Sequence, residues 1–287
     1  MIRRLARRVR STFTGPSPHD LAAAMLQIAR LEGELRGLAQ RVAELGATAE
    51  PFHTRPGTLD RLIARSVLLD NEYRLPDRFE AGDLVIDVGA HVGSFATACL
   101  LRGAGRVIAF EPVPSNHALL SVNLARFGNR AEARPAAVWR SDAPPTLLRV
   151  VASPDAANTG GGNVFGGATP AGLSAPALPL DAVIAGALAS SGAGRVRMVK
   201  VDCEGSEYPV LLTATRLDRV DEICGEYHEV LDPVPAARVG SHVAYGRDTL
   251  VGHLSALGFR VTTVTDPVHG GNGLFWARRE PPGRPAG

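Results

Sequence analysis

The chain has 287 residues, of which 45% are hydrophobic and 21% are charged, and its formal net charge is +2 at pH 7. This composition predicts a globular protein with one sizeable core, and the nearly balanced charge gives no reason to expect nucleic acid as a partner. The three cysteines are isolated, so neither a disulfide framework nor a Cys-x-x-Cys zinc site is indicated, and we expect a reducing, cytoplasmic setting. No apolar run reaches the roughly 18 residues of a membrane span, and we expect no signal peptide.

Residues 1–15 are predicted to form a basic amphipathic arm. Five arginines and no acid lie within the first ten residues, and four apolar residues fall near one helical face: Ile2, Leu5, Val9 and Phe13. Segments of this kind bind anionic membrane surfaces, so we expect peripheral contact at the inner face of the membrane through residues 1–13. The alternative is a solvated terminus.

Residues 16–46 are predicted to form a coiled-coil helix. Apolar residues recur every seven positions in two matching registers, Leu21, Ile28, Leu35 and Val42 in one and Ala24, Leu31, Leu38 and Leu45 in the other. This pattern favours a homo-oligomer held through residues 21–45. The alternative is a helix packed on the rest of the chain, because Gly33 and Gly37 weaken an isolated helix.

Residues 47–57 hold two prolines and are predicted to be a linker. Residues 58–280 alternate strand and helix patterns, which predicts one α/β domain with a mostly parallel sheet. Its first helix is expected over Leu59–Asp70 and its first strand at Leu84. Residues 281–287 are expected to be a disordered tail.

A β-α-β unit opens the sheet. A short apolar strand runs through Gly89 and Gly93 into a helix-length segment, and a second apolar run ends at Glu111. The glycines permit a sharp turn that brings the backbone close to a ligand at the start of the helix. Glu111, about 20 residues later, is placed to accept hydrogen bonds from two ribose hydroxyls. The unit therefore predicts a ligand that contains adenosine.

The turn departs from the three-glycine pattern of dinucleotide-binding folds. Ala90 and His91 occupy space that a pyrophosphate would need, and Asp87, an acid just before the turn, suits a cationic ligand. S-adenosylmethionine carries sulfonium and ammonium groups, so we expect it as the cofactor. The alternatives are NAD(P) and a turn that packs and binds nothing.

The alternation of strands and helices is interrupted from about Ala152 to Pro179. Within this stretch, residues 158–167 are too rich in glycine for regular structure. Long loops in compact domains are usually functional or disordered. The position after the third strand favours a mobile lid over the substrate site, with disorder as the alternative.

Two later strands end in charged residues. Lys200, Asp202 and Glu204 are expected on one side of the first strand, and Glu226 and His228 on one side of the second. If the strands are neighbours, the five side chains converge at the carboxyl edge of the sheet, where α/β proteins bind ligands. Lys200 is the chain's only lysine, and next to Asp202 it would hold that carboxylate ionised.

Methyl transfer to a hydroxyl benefits from a general base and tight alignment, which these residues could supply. His228 has the most suitable unperturbed pKa for the base. One alternative is a divalent metal bound by the acids and His228, which we do not favour. The other is a structural ion-pair network.

Three motifs now stand in order: Asp87–Gly93, Ala109–Pro112 with Asn123 downstream, and Lys200–Glu207 with Glu226–His228. Together they closely resemble the FkbM-type family of S-adenosylmethionine-dependent methyltransferases, over about Leu68 to Arg278. The resemblance implies a Rossmann-like class I fold with helices on both faces of a mostly parallel sheet and a final antiparallel strand. It also implies O-methylation of a hydroxyl on a sugar, glycolipid, polysaccharide or polyketide-type natural product.

The resemblance further implies a set of cofactor contacts: Asp87, Gly89, Ala90, His91, Gly93, Glu111 and Pro112, with Ala137 and Val138 near the adenine. Two positions depart from the family pattern, since His91 stands where asparagine is expected and Cys203 where a branched aliphatic residue is expected. A non-catalytic scaffold that binds the cofactor and is recruited through its coiled coil is the alternative to an enzyme.

Overall fold

A computed structural model describes residues 52–151, 153, 155–164, 172–230, 245–266 and 270–279. The predicted arm, coiled-coil helix and tail lie outside these residues. The oligomer and the membrane contact expected from them therefore stay predictions. In the described part of the chain, no helix has the length and apolar character needed to cross a membrane.

Ten strands and six α-helices make up the described fold. The strands are β1 Leu84–Val88, β2 Arg106–Phe110, β3 Ala131–Arg134, β4 Ala137–Trp139, β5 Thr146–Val150, β6 Leu173–Pro179, β7 Val196–Val201, β8 Val220–His228, β9 Phe259–Thr265 and β10 Asn272–Arg279. The helices are α1 Asp60–Leu68, α2 Ser94–Leu101, α3 Pro114–Ala125, α4 Leu180–Ser191, α5 Glu207–Leu212 and α6 Arg247–Ala256. Helix α1 falls within the predicted range, and β1 begins at the predicted residue.

The main sheet has seven strands in the order β3-β2-β1-β7-β8-β10-β9. The first five of these strands are mutually parallel, and β10 runs antiparallel to both β8 and β9. The prediction of a mostly parallel sheet with a final antiparallel strand is confirmed, because β10 is the last strand of the described chain. Because β7 and β8 are neighbours, the condition for convergence of the charged residues is met.

The central strands are mostly apolar because helices cover both faces of the sheet. All five residues of β1 are buried. Leu84 and Ile86 pack in a core with residues of α4, α5 and α6, whereas Val85 packs in a second core with Phe95 and Cys99 of α2. Helices on both faces were predicted, and the two cores confirm them.

Strands β4, β6 and β5 form a second sheet, in the order β4-β6-β5. Its presence makes the predicted end of the interruption wrong. The interruption was expected to run to Pro179, but Leu173–Pro179 is strand β6. This strand pairs with β5 over residues 173–177 and with β4 over residues 177–179. Proline cannot donate to a ladder, so Pro176 masked the strand in the sequence. Pro176 is tolerated because β6 has no β4 partner at that position.

Candidate active site

A cavity of about 480 Å³ lies at the carboxyl ends of the central strands, a size typical of small-molecule sites. From the β1 and β2 side it is lined by Gly89, Ala90, His91, Ser94, Glu111, Pro112, Val113 and Asn116. From the β7 and β8 side it is lined by Lys200, Asp202, Cys203, Glu204, Glu226 and His228, and Glu72 and Tyr73 join them from the chain before β1. The fold thus brings the two predicted groups of residues to one cavity.

The glycines of the turn after β1 are required first by packing within the protein. Gly89 has a φ of +73°, and a Cβ there would lie 1.9 Å from the carbonyl oxygen of Asp202. Gly93 has a φ of +92°, and a Cβ there would lie 2.8 Å from Cδ1 of Leu120. The glycine spacing predicts close approach of a ligand at these positions. The structure shows that any side chain at either position would strain the fold itself.

The backbone conformation of His91 accounts for the asparagine that was expected at this position. Its φ is +52°, in the left-handed region that asparagine adopts more readily than most residues. Its backbone N–H donates to Oε2 of Glu111 at 2.9 Å. Burial lowers the pKa of the imidazole to about 4, so His91 is neutral near pH 7.

Glu111 follows β2 directly and is held in a fixed orientation. Its Oε1 accepts from the backbone N–H of Val113 at 2.9 Å, and its Oε2 accepts from His91. Burial raises the pKa of the carboxyl to about 7, in opposition to these hydrogen bonds. A carboxylate has about four lone-pair sites, so the two oxygens can still accept from ligand hydroxyls.

Two polar side chains that the sequence analysis missed also face the cavity. Ser94 begins α2 and Asn116 lies in the first turn of α3. Within the described part of the chain, Oγ of Ser94 and Oδ1 of Asn116 are buried without a hydrogen-bond partner. Buried polar atoms are nearly always paired, so these two atoms are candidates for hydrogen bonds to a bound ligand. The only sequence signal was their position at the starts of helices that follow ligand-facing strand ends.

Lys200 lies beneath the turn rather than free in the cavity. Its Nζ donates to the carbonyl oxygen of Gly89 at 2.6 Å, and it lies 3.5 Å from Oδ1 of Asp87 and 3.4 Å from Oδ2 of Asp202. Burial opposes its charge, but Asp202 and Asp87 outweigh burial and hold the pKa of Lys200 above its usual range. Asp87 is fully buried and does not line the cavity, nor does Gly93, so their predicted contacts with the cofactor stay predictions.

The acidic group converges around His228, as predicted. Nε2 of His228 lies 3.6 Å from Glu204 and 3.7 Å from Glu226, while Nδ1 lies 3.3 Å from Glu207. Burial alone would lower the pKa of His228, but the three carboxylates raise it to about 10. The imidazole is therefore protonated near pH 7. In this environment, the ordinary pKa of histidine no longer favours His228 as the general base.

The neighbouring carboxyls titrate closer to neutrality. Burial, together with the charge of Asp202, raises the pKa of Glu226 to about 8, and burial raises that of Glu204 to about 7. Burial also acts on Asp202, but Lys200 and His228 keep the pKa of its carboxyl below the usual range. Asp202 is thus ionised, as expected from its neighbour Lys200, and Glu204 and Glu226 can exchange a proton near pH 7.

A divalent metal fits this cluster poorly. Ligand atoms of Asp202, Glu207 and His228 lie within 4.8 Å of one another. However, Oε1 of Glu207 already accepts from the backbone N–H of Cys203 at 2.7 Å, and Oε2 accepts from that of Gly205 at 2.9 Å. A metal also requires a neutral imidazole, so its binding here would have to displace the proton that three carboxylates favour on His228. The geometry is that of a hydrogen-bonded ion-pair cluster.

The glycine-rich segment, residues 155–164, packs over the β1 and β2 side of the cavity. Thr159 Oγ1 donates to Oδ1 of Asp60 at 2.6 Å and lies 2.8 Å from Nε2 of His91. Arg55 donates to both carboxylate oxygens of Asp60, from Nε at 2.8 Å and from Nη2 at 3.0 Å. Asn116 donates to the carbonyl oxygen of Thr159 at 3.0 Å. Hydrogen bonds therefore join the segment before β1, the turn after β1 and the glycine-rich segment. Together these three parts cover the β1 and β2 side of the cavity. Whether this cover opens stays a prediction.

The residues predicted near an adenine lie beside a second, smaller cavity of about 40 Å³. Ala137 and Val138 of β4 line it, together with Phe110, Pro112 and Gly162. Pro112 and Gly162 also line the larger cavity, so the two cavities adjoin. The residues that line the small cavity form an apolar wall next to Glu111.

Comparisons with known proteins agree with this architecture. Residues 87–255 match the model of the methyltransferase FkbM domain. The matched residues are more than half of the chain. No curated protein matches the sequence.

Three solved structures show a distant likeness. An O-methyltransferase family protein from Burkholderia thailandensis is 12% identical over 78% of this chain and 59% of its own, with a TM-score of 0.42. A precorrin-6y C5,15-methyltransferase from Geobacter metallireducens is 15% identical over 81% and 93%, with a TM-score of 0.37. An rRNA methylase from Streptococcus thermophilus is 13% identical over 80% and 99%, with a TM-score of 0.38. On the family match, the chain belongs to the FkbM methyltransferase family, and its fold is the Rossmann-like fold of class I methyltransferases.

Proposed function

We propose that this protein is an S-adenosylmethionine-dependent O-methyltransferase. Its acceptor is a hydroxyl of a sugar, glycolipid, polysaccharide or polyketide-type natural product. The observation that carries the proposal is a single cavity with two chemically different sides. Fixed acceptors and unpaired polar atoms lie towards β1 and β2, and a carboxylate-rich group lies towards β7 and β8.

The donor side fits S-adenosylmethionine on the chemistry of its residues. Glu111 offers two fixed carboxylate oxygens to ribose hydroxyls, and Ser94 and Asn116 offer buried atoms that have no hydrogen-bond partner among the described residues. Ala137 and Val138 offer an apolar wall for adenine. When bound there, the cofactor supplies an electrophilic methyl group on a sulfonium.

The acceptor side fits a hydroxyl. Ionised Asp202 can accept a hydrogen bond from the acceptor and orient its oxygen. Glu226 and Glu204, with pKa values raised to about 8 and about 7, can take the hydroxyl proton near neutral pH. Protonated His228 holds the carboxyl groups of Glu204 and Glu226 in place. It also stabilises the negative charge of whichever of the two is ionised.

Calorimetric titration with S-adenosylmethionine tests the donor side. We expect the wild type to bind and Glu111→Gln to bind roughly 10- to 100-fold more weakly, because a charged hydrogen-bond acceptor is lost. Glu132→Gln is the matched control, since Glu132 lies on β3 and pairs with Arg106 and Arg134 away from the cavity. A wild type that binds NADH and not S-adenosylmethionine would sink the proposal in favour of an oxidoreductase.

Transfer of a labelled methyl group tests the acceptor side. The enzyme is incubated with ¹³C-methyl S-adenosylmethionine and an extract of the producing cells' glycans and secondary metabolites, and the product is analysed by NMR. We expect a new methoxy carbon signal. A label found on nitrogen or carbon contradicts O-methylation, and cofactor binding without transfer supports the non-catalytic scaffold.

A further inference from the structure

A turn before β1, residues 71–75, is built to hold two side chains at the cavity. Asn71 and Arg74 both have a φ of +53°, an uncommon conformation for residues other than glycine. The Asn71 side chain clamps the turn, because Oδ1 accepts from the backbone N–H of Leu75 at 2.9 Å and Nδ2 donates to its carbonyl oxygen at 3.0 Å. The Arg74 guanidinium lies 3.5 Å over the ring of Trp276 in β10. Conformations of this kind persist only where surrounding contacts enforce them.

The clamp fixes Tyr73 against Asp202, a residue 129 positions later in the chain. The Tyr73 hydroxyl donates to Oδ2 of Asp202 at 2.9 Å, and the Tyr73 ring packs edge-on against Phe95 at 5.5 Å between centroids. Lys200 Nζ approaches the same carboxylate oxygen at 3.4 Å. Two donors on Oδ2 restrain the rotation of this carboxylate, and Asp202 lines the cavity.

Glu72, next in the turn, faces the same side of the cavity. Burial and the charge of Asp202 raise the pKa of its carboxyl to about 7. Both residues lie before residue 87, where the match to the family domain begins. The acceptor side is therefore completed by a segment outside the matched domain.

We infer that Tyr73 is a positioning residue for methyl transfer, which acts by orienting Asp202 toward the acceptor hydroxyl from a turn that precedes the residues matched by the family model. The inference rests on the proposed function. Tyr73 need not touch either substrate, because its hydroxyl is engaged by Asp202. Its effect must therefore pass through Asp202 and disappear when Asp202 can no longer act.

A double-mutant cycle tests this pathway. Transfer from tritiated S-adenosylmethionine to the cell extract is measured for the wild type, Tyr73→Phe, Asp202→Asn and the double variant. We expect Tyr73→Phe to lower kcat roughly 10-fold or more, because one buried charged hydrogen bond is lost, with little change in KM for S-adenosylmethionine. In the Asp202→Asn background, the same change should lower kcat by less than about 2-fold.

Tyr227→Phe is the matched control. Tyr227 is also buried, and its hydroxyl lies 3.0 Å from Oγ1 of Thr265, away from Asp202. We expect the control variant to retain wild-type kcat even if it melts at a lower temperature. Should Tyr73→Phe fold poorly, Asn71→Ala, which releases the clamp on the turn, must give the same loss and the same dependence on Asp202.

The outcomes are distinct. If the wild type neither binds nor uses S-adenosylmethionine, the proposed function fails and this inference fails with it. If the wild type is active and Tyr73→Phe matches it, only the inference is overturned. Full additivity with Asp202→Asn also overturns it, because Tyr73 would then act independently of Asp202.

Discussion

Lys200 Nζ and the carbonyl oxygen of Gly89 are joined by a hydrogen bond of 2.6 Å. The only lysine of the chain thus ties the end of β7 to the turn after β1. The same ammonium lies between the carboxylates of Asp87 and Asp202. One buried cation therefore connects the turn after β1 with the carboxylate of Asp202.

Replacement of Lys200 by a neutral residue should lower the stability of the fold. Lys200→Met keeps an unbranched chain but leaves buried Asp87 without its counter-charge, so we expect the free energy of unfolding to fall by about 3–5 kcal/mol. Lys200→Arg keeps the charge and should be milder, although a planar guanidinium does not fit the site of an ammonium. Urea unfolding measures both variants. Equal stability of Lys200→Met and the wild type would contradict the assigned role.

The ion-pair cluster predicts a stability difference that depends on pH. The pKa of His228 is raised from 6.5 to about 10 in the folded state, so its stabilisation is fully present below pH 6.5 and is lost as the pH rises through 10. We expect His228→Gln to destabilise by about 3 kcal/mol at pH 6.5 and by progressively less towards pH 10. His253→Gln is the control, because the pKa of His253 is lowered by burial and its difference from the wild type should change little above pH 7. A difference for His228→Gln that stays constant from pH 6.5 to 10 contradicts the assignment.

The contacts of Thr159 within the cover predict that this residue slows release of the cofactor. Thr159→Val removes the hydroxyl that contacts both Asp60 and His91. We expect S-adenosylmethionine to dissociate roughly 3- to 10-fold faster, because about one hydrogen bond's net stabilisation of the closed cover is lost. Stopped-flow displacement measures the rate, with Thr146→Val on exposed β5 as the control. Unchanged release would show that the segment does not gate the cofactor.

The heptad pattern predicts the behaviour of a truncated chain. Without residues 1–46, we expect the oligomeric state or membrane association to change more than the intrinsic turnover, because the apolar seam and the basic arm are removed. Sedimentation with and without anionic vesicles compares the two forms. Identical mass and identical partitioning of the full-length and truncated proteins would refute the prediction.

The sequence by itself determined the alternation of strands and helices outside the interruption, the turn after β1, the position of Glu111 and the charged residues after β7 and on β8. These features are local: apolar runs, glycine spacing and charge at strand ends follow from periodicity over a few residues. Periodicity failed at β6 because Pro176 hides a strand whose pairing is defined by its neighbours β4 and β5.

Only the tertiary structure decided how these residues act. It protonates His228 by placing three carboxylates around it, places Asp87 behind Lys200, and brings Tyr73, Asp60 and Thr159 to the site from distant parts of the chain. Protonation states and hydrogen bonds of this kind depend on burial and on charges within a few ångströms. Those distances arise from the packing of segments far apart in sequence, so they could not be predicted from any one motif.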